Sequence, residues 1–354
     1  MGINAESLQT LEGLVRHYSP SGEEAAVVSW LVEHMRALGF TTAFRDQAGN
    51  AVGVIGTGAK NAVLLGHIDT VRGELPIRVD DERIYGRGTV DAKGSLACFV
   101  SAAAAVTPAP DWRLTVIGAV DEERGSSGAR YAADAYQADF VIVGEPNRWD
   151  RIGLGYKGTL PMKLSLRRPA SHTASAVVTA AEEWVQNWNN FHQFAAEYNA
   201  DKPKLFDQLL VSLRSLQAGE DQEGQFAIGE IGCRLPPEGT PGEWFDRLRE
   251  LAPLAELEMT AVPIPAWRCE KNTAPVRAFL KAIRAHEGTP AFVYKTGTAD
   301  LNIVAPAWRC PALVYGPGDS ALDHTDGEYL EIAEYLKAIE VLKDALNQLI
   351  SAGS

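Results

Sequence analysis

Apolar and polar positions along the chain fall into two textures. From 5 to 38 the apolar residues recur at helical spacing, interrupted at SPSGEE (19–24), where a turn is expected. Ser21 can cap the second helix there, and Glu23 and Glu24 suit its first turn. The short apolar runs NAVGVIG (50–56) and NAVLLGH (61–67) read as buried strands. A polar excursion, VRGELPIRVDDERIYGRGTVD, then leads into a helix over 93–105. The strand LTVIGAVDEE, a helix over 129–135 and the strand FVIVGEP follow. Buried strands alternating with helices predict a three-layer α/β domain with a largely parallel or mixed sheet.

After Pro146 the texture changes. GLGYKGTLPMKLSLRR alternates exposed and buried positions, a helix is expected from about 175 to 198, and LLVSLRSLQAG and QFAIGEIGCRL read as a hairpin. PGEWFDRLRELAPLA is a helix with its proline early, and LEMTAVPI a last strand. That order suits a small α+β sandwich with helices on one side of an antiparallel sheet. Beyond Pro265 the α/β texture returns with a helix over 275–287, the loop KTGTADLN, the strand PALVYG, the loop GDSALDHTDGEY and a C-terminal helix. The economical organisation is one discontinuous domain, 1–154 with 264–354, interrupted by an inserted domain at 155–263.

Length and charge narrow the functions open to such a chain. At 354 residues it exceeds one ordinary hydrophobic core. Its formal charge of -13 is poor for gripping a nucleic-acid backbone, which wants a basic surface. The first residues lack a signal-peptide apolar segment, no 18 apolar residues run together, and a cytoplasmic protein with no membrane span is expected. Cys98, Cys233, Cys269 and Cys310 are far apart with no CxxC, which fits separate reduced thiols.

Candidate chemistry gathers at strand ends, where loops are free and the strands hold them rigid. His67 ends VLLGH, Asp91 precedes AKG at a helix entrance, Asp121, Glu122 and Glu123 end TVIGAV, Glu145 ends FVIVG, and His324 lies in the loop after ALVYGPG. Each has a plain alternative. Asp91 reads as a helix N-cap, His67 as a satisfied core histidine, the acidic triplet as a solvated turn, Glu145 as an acid facing water and His324 as a loop residue. Jointly, several carboxylates and two imidazoles at buried strand ends require compensating positive charge, which divalent zinc or cobalt supplies.

The chain resembles the M20 family of dinuclear-zinc amidohydrolases and aminopeptidases, on GHIDTV (66–71), YGRGTVDAKG (85–94), VDEERGSSGAR (120–130), GEP (144–146) and DHTDGE (323–328). The resemblance covers nearly all of the sequence. It implies a zinc-dependent exopeptidase-like α/β catalytic domain with an inserted ferredoxin-like α+β domain serving as lid and dimerisation element. It further implies His67, Asp91 and Glu145 as one metal site, and Asp91, Glu123 and His324 as the other. Glu122 is implied as general base, Asp69 as the acid behind His67, and His172 as the oxyanion donor reached across a homodimer. The two ions are expected to be zinc, with cobalt equally suited to N and O ligands.

Within the family the closest resemblance is to hydrolases that release lysine or ornithine from the C-terminal glutamate γ-carboxyl of a small acidic amino-group carrier protein. It rests on GYKGTL (155–160), KTGTADLNIVAP (295–306) and the short lid. Alternatives are a deacylase of a small N-acyl amino acid such as acetylornithine, or a dipeptidase. Thr296, Gly297, Thr298 and Asn302 are the expected substrate contacts of the 295–302 loop, and Asp300 either attracts a cationic substrate end or braces the loop. Arg234 either holds a substrate carboxylate or makes a local salt bridge. Family members often carry an Asp two residues before that arginine, and Gly232 stands there instead. An acidic carrier meeting a chain of charge -13 needs a local basic patch, for which Lys157, Lys163, Arg167 and Arg168 are candidates.

Overall fold

A computed structural model describes residues 3–170 and 177–351 and divides the chain into two compact units. The first comprises Met1–Gly155, Cys269–Tyr294 and Ala299–Ser354, and the second Tyr156–Arg268 with Lys295–Thr298.

In the first unit the buried apolar runs form the middle of a mixed sheet. Its order is Thr42–Arg45, Ala51–Gly56, Trp112–Ala119, Lys60–His67, Phe140–Gly144, Ala312–Tyr315 and Arg151–Tyr156. Lys60–His67 runs parallel to both Trp112–Ala119 and Phe140–Gly144, and Ala312–Tyr315 runs parallel to Phe140–Gly144. In Lys60–His67 every residue after Lys60 is buried, as expected of a strand covered on both faces. The helix Lys93–Ala104 is buried from Lys93 through Ala103 and packs on that strand and on the helices Ile3–Arg16 and Ile332–Ile350. The mixed sheet clad by helices is the α/β architecture expected for the catalytic domain.

Because the central strands are parallel, their C-terminal ends share one rim, and His67, the 121–123 turn, Glu145 and Gly316 all emerge there. Gly316 is required by space. A Cβ at this position would lie 2.0 Å from Ser95 Oγ and 2.7 Å from the Glu145 carbonyl oxygen.

The second unit has the order strand, helix, strand, strand, helix, strand: Gly158–Arg168, Ala180–Asn199, Leu210–Asp221, Gly224–Leu235, Pro241–Glu250 and Glu256–Met259. Its sheet is antiparallel in the order Leu210–Asp221, Gly224–Leu235, Gly158–Arg168, Glu256–Met259, a ferredoxin-like arrangement. Alternate residues Leu160, Met162, Leu164 and Leu166 are buried and form a core with Trp184, Phe191, Trp244 and Leu248. Both helices open with a full capping box, Thr179 with Glu182 and Thr240 with Glu243.

Several local expectations change. Ser21 does not cap the second helix: Glu24 is its N-cap without a side-chain bond, and the Ser21 hydroxyl donates instead to Asp69 Oδ2 at 2.6 Å. Asp91 is not an N-cap either, since Ala92 takes that place with no side-chain cap. Of the four candidate basic-patch residues, one is withdrawn from the surface and three are ion-paired on it. Lys157 is fully buried, its Nζ donating to the carbonyls of Leu205, Phe206 and Gln208. Lys163 pairs with Glu258 at 2.7 Å, Arg167 with Asp221 at 3.0 Å, and Arg168 with Glu183. Among the described residues no helix is long and apolar enough to cross a membrane.

Candidate metal centre

The rim of the first unit gathers the strand-end acids around two imidazoles. His67 Nε2 lies 3.1 Å from Asp91 Oδ1, and His324 Nε2 lies 3.0 Å from Asp91 Oδ2. One carboxylate thus faces a histidine with each of its oxygens. His324 Nε2 is also 3.0 Å from Glu123 Oε1. Three groupings bring donor atoms within 4.8 Å of one another: His67 with Asp91 and Glu145, Asp91 with Glu123 and His324, and His67 with Glu122 and Glu123. Distances of this kind let each group share a cation, and the all-N and O donor set suits a divalent ion of the zinc or cobalt kind.

Charge balance makes the same point. Burial pushes the carboxyls of Glu122 and Glu145 well above the usual carboxylate range, against the opposing pull of His67. Asp300 is buried with Ser126 as its polar neighbour, and burial pushes it up to about 7. His67 is held well above its ordinary value: burial pulls it down, but hydrogen bonds to Asp69 and Asp91 outweigh that loss. Hydrogen bonds to Asp91 and Glu123 lift His324 to about 10. The two imidazoles hold Asp91 well below the usual carboxylate range, yet Glu122, Glu145 and Asp300 are driven toward protonation, so the cluster as a whole is short of cations. The residues therefore fit bound metal.

The backbone around the cluster is shaped by side chains with no direct place in it. Asp69 sits with His67 Nδ1 at 3.3 Å from its Oδ1, the same ring nitrogen being 3.1 Å from the Asp69 carbonyl oxygen. Its carboxylate also accepts the backbone N–H groups of Glu122 and Glu123, each at 3.1 Å. One acid thus orients an imidazole and anchors the turn that carries two further acids. Asp121, the first of the triplet, faces away: at φ 68° its carboxylate pairs with Arg124 at 2.7 Å.

Glu328 does for Asp91 what Asp69 does for the 122–123 turn. Its Oε1 accepts the N–H groups of Val90 and Asp91 at 2.9 and 3.2 Å, and its Oε2 pairs with buried Arg87 at 3.0 Å. Glu328 carries no assignment in the sequence reading. The only signal for it is that DHTDGE closes on an acid facing the arginine of YGRG.

The remaining candidates divide between the units. Asn302 belongs to the first, buried, with its side-chain oxygen accepting the Ala299 N–H at 3.0 Å. Arg234, Thr296, Gly297 and Thr298 belong to the second, where Arg234 Nη1 donates to Thr298 Oγ1 at 3.4 Å and a Cβ at Gly297 would meet open space. Asp300 is the N-cap of the helix Leu301–Trp308 but makes no capping bond, so bracing of the helix start does not account for its carboxylate. His172 lies outside the described residues.

The family model for peptidase family M20/M25/M40 matches residues 63–348. The chain belongs to this family. An M20 relative from Deinococcus radiodurans, named LysW-lysine hydrolase, is 43% identical over 341 residues, which is 94% of each chain. Two solved structures superpose over nearly the full length. Aminopeptidase PepT from Bacillus cereus does so with a TM-score of 0.79 at 17% identity, covering 98% of this chain and 99% of its own. An M20 family metallo-carboxypeptidase from Sulfolobus solfataricus does so with a TM-score of 0.76 at 18% identity, covering 96% and 98%. At these identities the two structures speak for the fold, and this M20 chain carries its acid and histidine cluster on that fold.

Proposed function

We propose that the protein is a metal-dependent amide hydrolase that releases lysine or ornithine from the terminal glutamate γ-carboxyl of a small acidic carrier protein. The observation that carries the hydrolytic reading is the Asp91 carboxylate held between two imidazoles with Glu122, Glu123 and Glu145 alongside. The carrier-linked substrate is supported by the name and 43% identity of the Deinococcus relative.

In this reading His67, Asp91 and Glu145 hold one divalent ion, and Asp91, Glu123 and His324 the other, zinc or cobalt. When bound, such ions supply Lewis acidity to the scissile carbonyl and lower the pKa of water. The chain's own part is proton handling and orientation. Glu122 takes a proton from the water whose oxygen attacks the amide carbon, and passes it to the nitrogen as the C–N bond breaks. Asp69 keeps the turn beneath Glu122 in place and fixes the tautomer of His67. His172 is the proposed donor to the developing oxyanion.

The test is direct. Metal-supplemented protein is offered lysine-loaded carrier and acetylornithine side by side, with a chelated control, and free amino acid is measured. Release from the carrier that disappears on chelation is expected. Turnover of acetylornithine alone would replace this substrate with a small N-acyl amino acid, and turnover unaffected by chelation would remove the metal.

We further propose a homodimer formed through the second unit. The strand Leu210–Asp221 lies at the edge of its sheet and exposes Leu213 and Leu216, an open edge that a second copy can extend. Leu216→Lys is expected to shift the light-scattering mass from two chains to one, and an unchanged mass would place the interface elsewhere.

A further inference from the structure

The first unit carries a run of cations that no acid answers. Along its helix Ala274–Ala285 the buried side is apolar, with Val276, Phe279 and Ile283 turned to the core and the Phe279 ring 4.7 Å from that of Tyr315. The exposed side bears Arg277, Lys281 and Arg284, spaced four and three apart on one stripe. Lys271, just ahead of the helix, is exposed as well.

Among the described residues none of these four makes an ion pair, although the chain as a whole is strongly acidic. Arg277 donates to Asn272 Oδ1 at 2.7 Å, and Lys271 Nζ lies 5.3 Å from the Phe292 ring and 5.8 Å from that of Tyr294. Exposed cations elsewhere in the unit, Arg16, Lys60 and Arg78 among them, each hold a carboxylate. The stretch 270–287 sets its four Lys and Arg against two acids only, Glu270 and Glu287, one at each end.

The fold does not call for such a stripe. Like charges four apart on a helix repel. Arg277 also stands near the positive end of the helix dipole, with no acid in the first turn to offset it. Only Arg284, in the last turn, suits the dipole. A merely solvated face mixes its charges, as the helix Ile332–Ile350 does where Lys343 pairs with Glu340.

The face also adjoins the metal rim. A Cβ at Gly288, just past the helix, would lie 2.7 Å from the Trp149 ring, and the Ala291 N–H donates to the Asp150 carbonyl at 3.3 Å. Trp149 and Asp150 belong to the segment that leaves the strand end at Glu145, in the same unit. Beside the cations Phe292 is 39% exposed, a large ring open to solvent.

An acidic carrier approaching a chain of charge -13 is repelled unless a local basic surface receives it. Unpaired cations steer such a partner and fix its orientation, while an exposed ring supplies apolar area to bury. We infer that Lys271, Arg277, Lys281 and Arg284, with Phe292 beside them, form the docking face for the body of the acidic carrier, leaving its terminal glutamate to reach the rim. The inference rests on the carrier-linked reading above and says where that partner is held.

The test compares wild type with Lys281→Glu combined with Arg284→Glu, all metal-supplemented, on lysine-loaded carrier and on γ-glutamyl-lysine. Reversing the two charges is expected to lower kcat/KM on the carrier about 10- to 100-fold, through KM, and to abolish its decline with added salt. Turnover of the dipeptide should stay unchanged. Lys60→Glu with Arg16→Glu makes the same change in net charge elsewhere on the unit and should leave carrier turnover within threefold of wild type, about the scatter of single rim charges. Equal losses on carrier and dipeptide, equal losses in the two double variants, or no loss on the carrier each overturn the docking face. Calorimetric titration of loaded carrier into E122Q, with and without the 281 and 284 reversals, reads the face independently of turnover. Weaker binding to the reversed chain supports it; equal binding, or none to either, overturns it. A change in light-scattering mass on reversal would make the face a contact between copies of this chain instead. Failure of carrier hydrolysis with a surviving difference in binding would remove the carrier as substrate and keep the docking face.

Discussion

Replacing Glu122 with Gln is expected to lower amide hydrolysis by about 10²- to 10⁴-fold, the range over which a positioned general base acts. The change is close to isosteric. It leaves the backbone N–H of residue 122 free to donate to Asp69 Oδ1, so the turn keeps its shape. The same residue also belongs to a possible ligand grouping with His67 and Glu123, and the experiment separates the two roles. If Glu122 is the base, elemental analysis finds the same metal content in E122Q as in wild type while hydrolysis collapses. If metal leaves with activity, Glu122 is a ligand. Hydrolysis within tenfold of wild type removes it from both roles.

Glu328→Ala is expected to cost about 3–5 kcal/mol of stability, because it leaves Arg87, a buried arginine, with only the exposed Asp326 carboxylate at 4.0 Å. The N–H groups of Val90 and Asp91 lose their acceptor at the same time. Since those amides fix where Asp91 sits between the two imidazoles, metal affinity should fall by about 10- to 100-fold as well. Urea unfolding and metal titration read the two effects separately. Glu328→Gln keeps an acceptor for the amides and should lose less. Arg87→Met combined with Glu328→Leu removes both charges and should recover part of the stability without restoring metal affinity. A loss below about 1 kcal/mol in Glu328→Ala would mean that Arg87 is held by the Gly73 and Thr325 carbonyls to which it also donates.

What could be read from the sequence depended on whether a residue's neighbours in space were also marked by pattern. His67, Glu145 and the 121–123 acids could be read because each follows a run of buried strand residues, and parallel strands must end at a common rim. The inserted sheet was legible from the alternation in its strands, and its second helix from the early proline. Asp69 was read only as the acid behind His67. That it also grips the 122–123 turn depends on parallel pairing between strands some fifty residues apart, which local spacing does not encode. Glu328 and Arg87 were missed for the same reason, their pairing spanning most of the chain. Sequence lists the basic residues of the lid strands without their partners. Glu258, Asp221 and Glu183 neutralise three of them across the sheet or from a helix, and Lys157 turns inward.

The rim arrangement bears on how such a protein is made. Asp91 meets one imidazole from residue 67 and another from residue 324, and its backbone is locked by residue 328. Between these, the whole second unit must leave the ribosome. A nascent chain stopped ahead of 324 already carries most of the acids, yet has neither the second histidine nor the lock. Prematurely terminated products are therefore expected to be inactive even when their first strands have paired. On the proposed site, activity is expected only after the last quarter of translation closes the sheet.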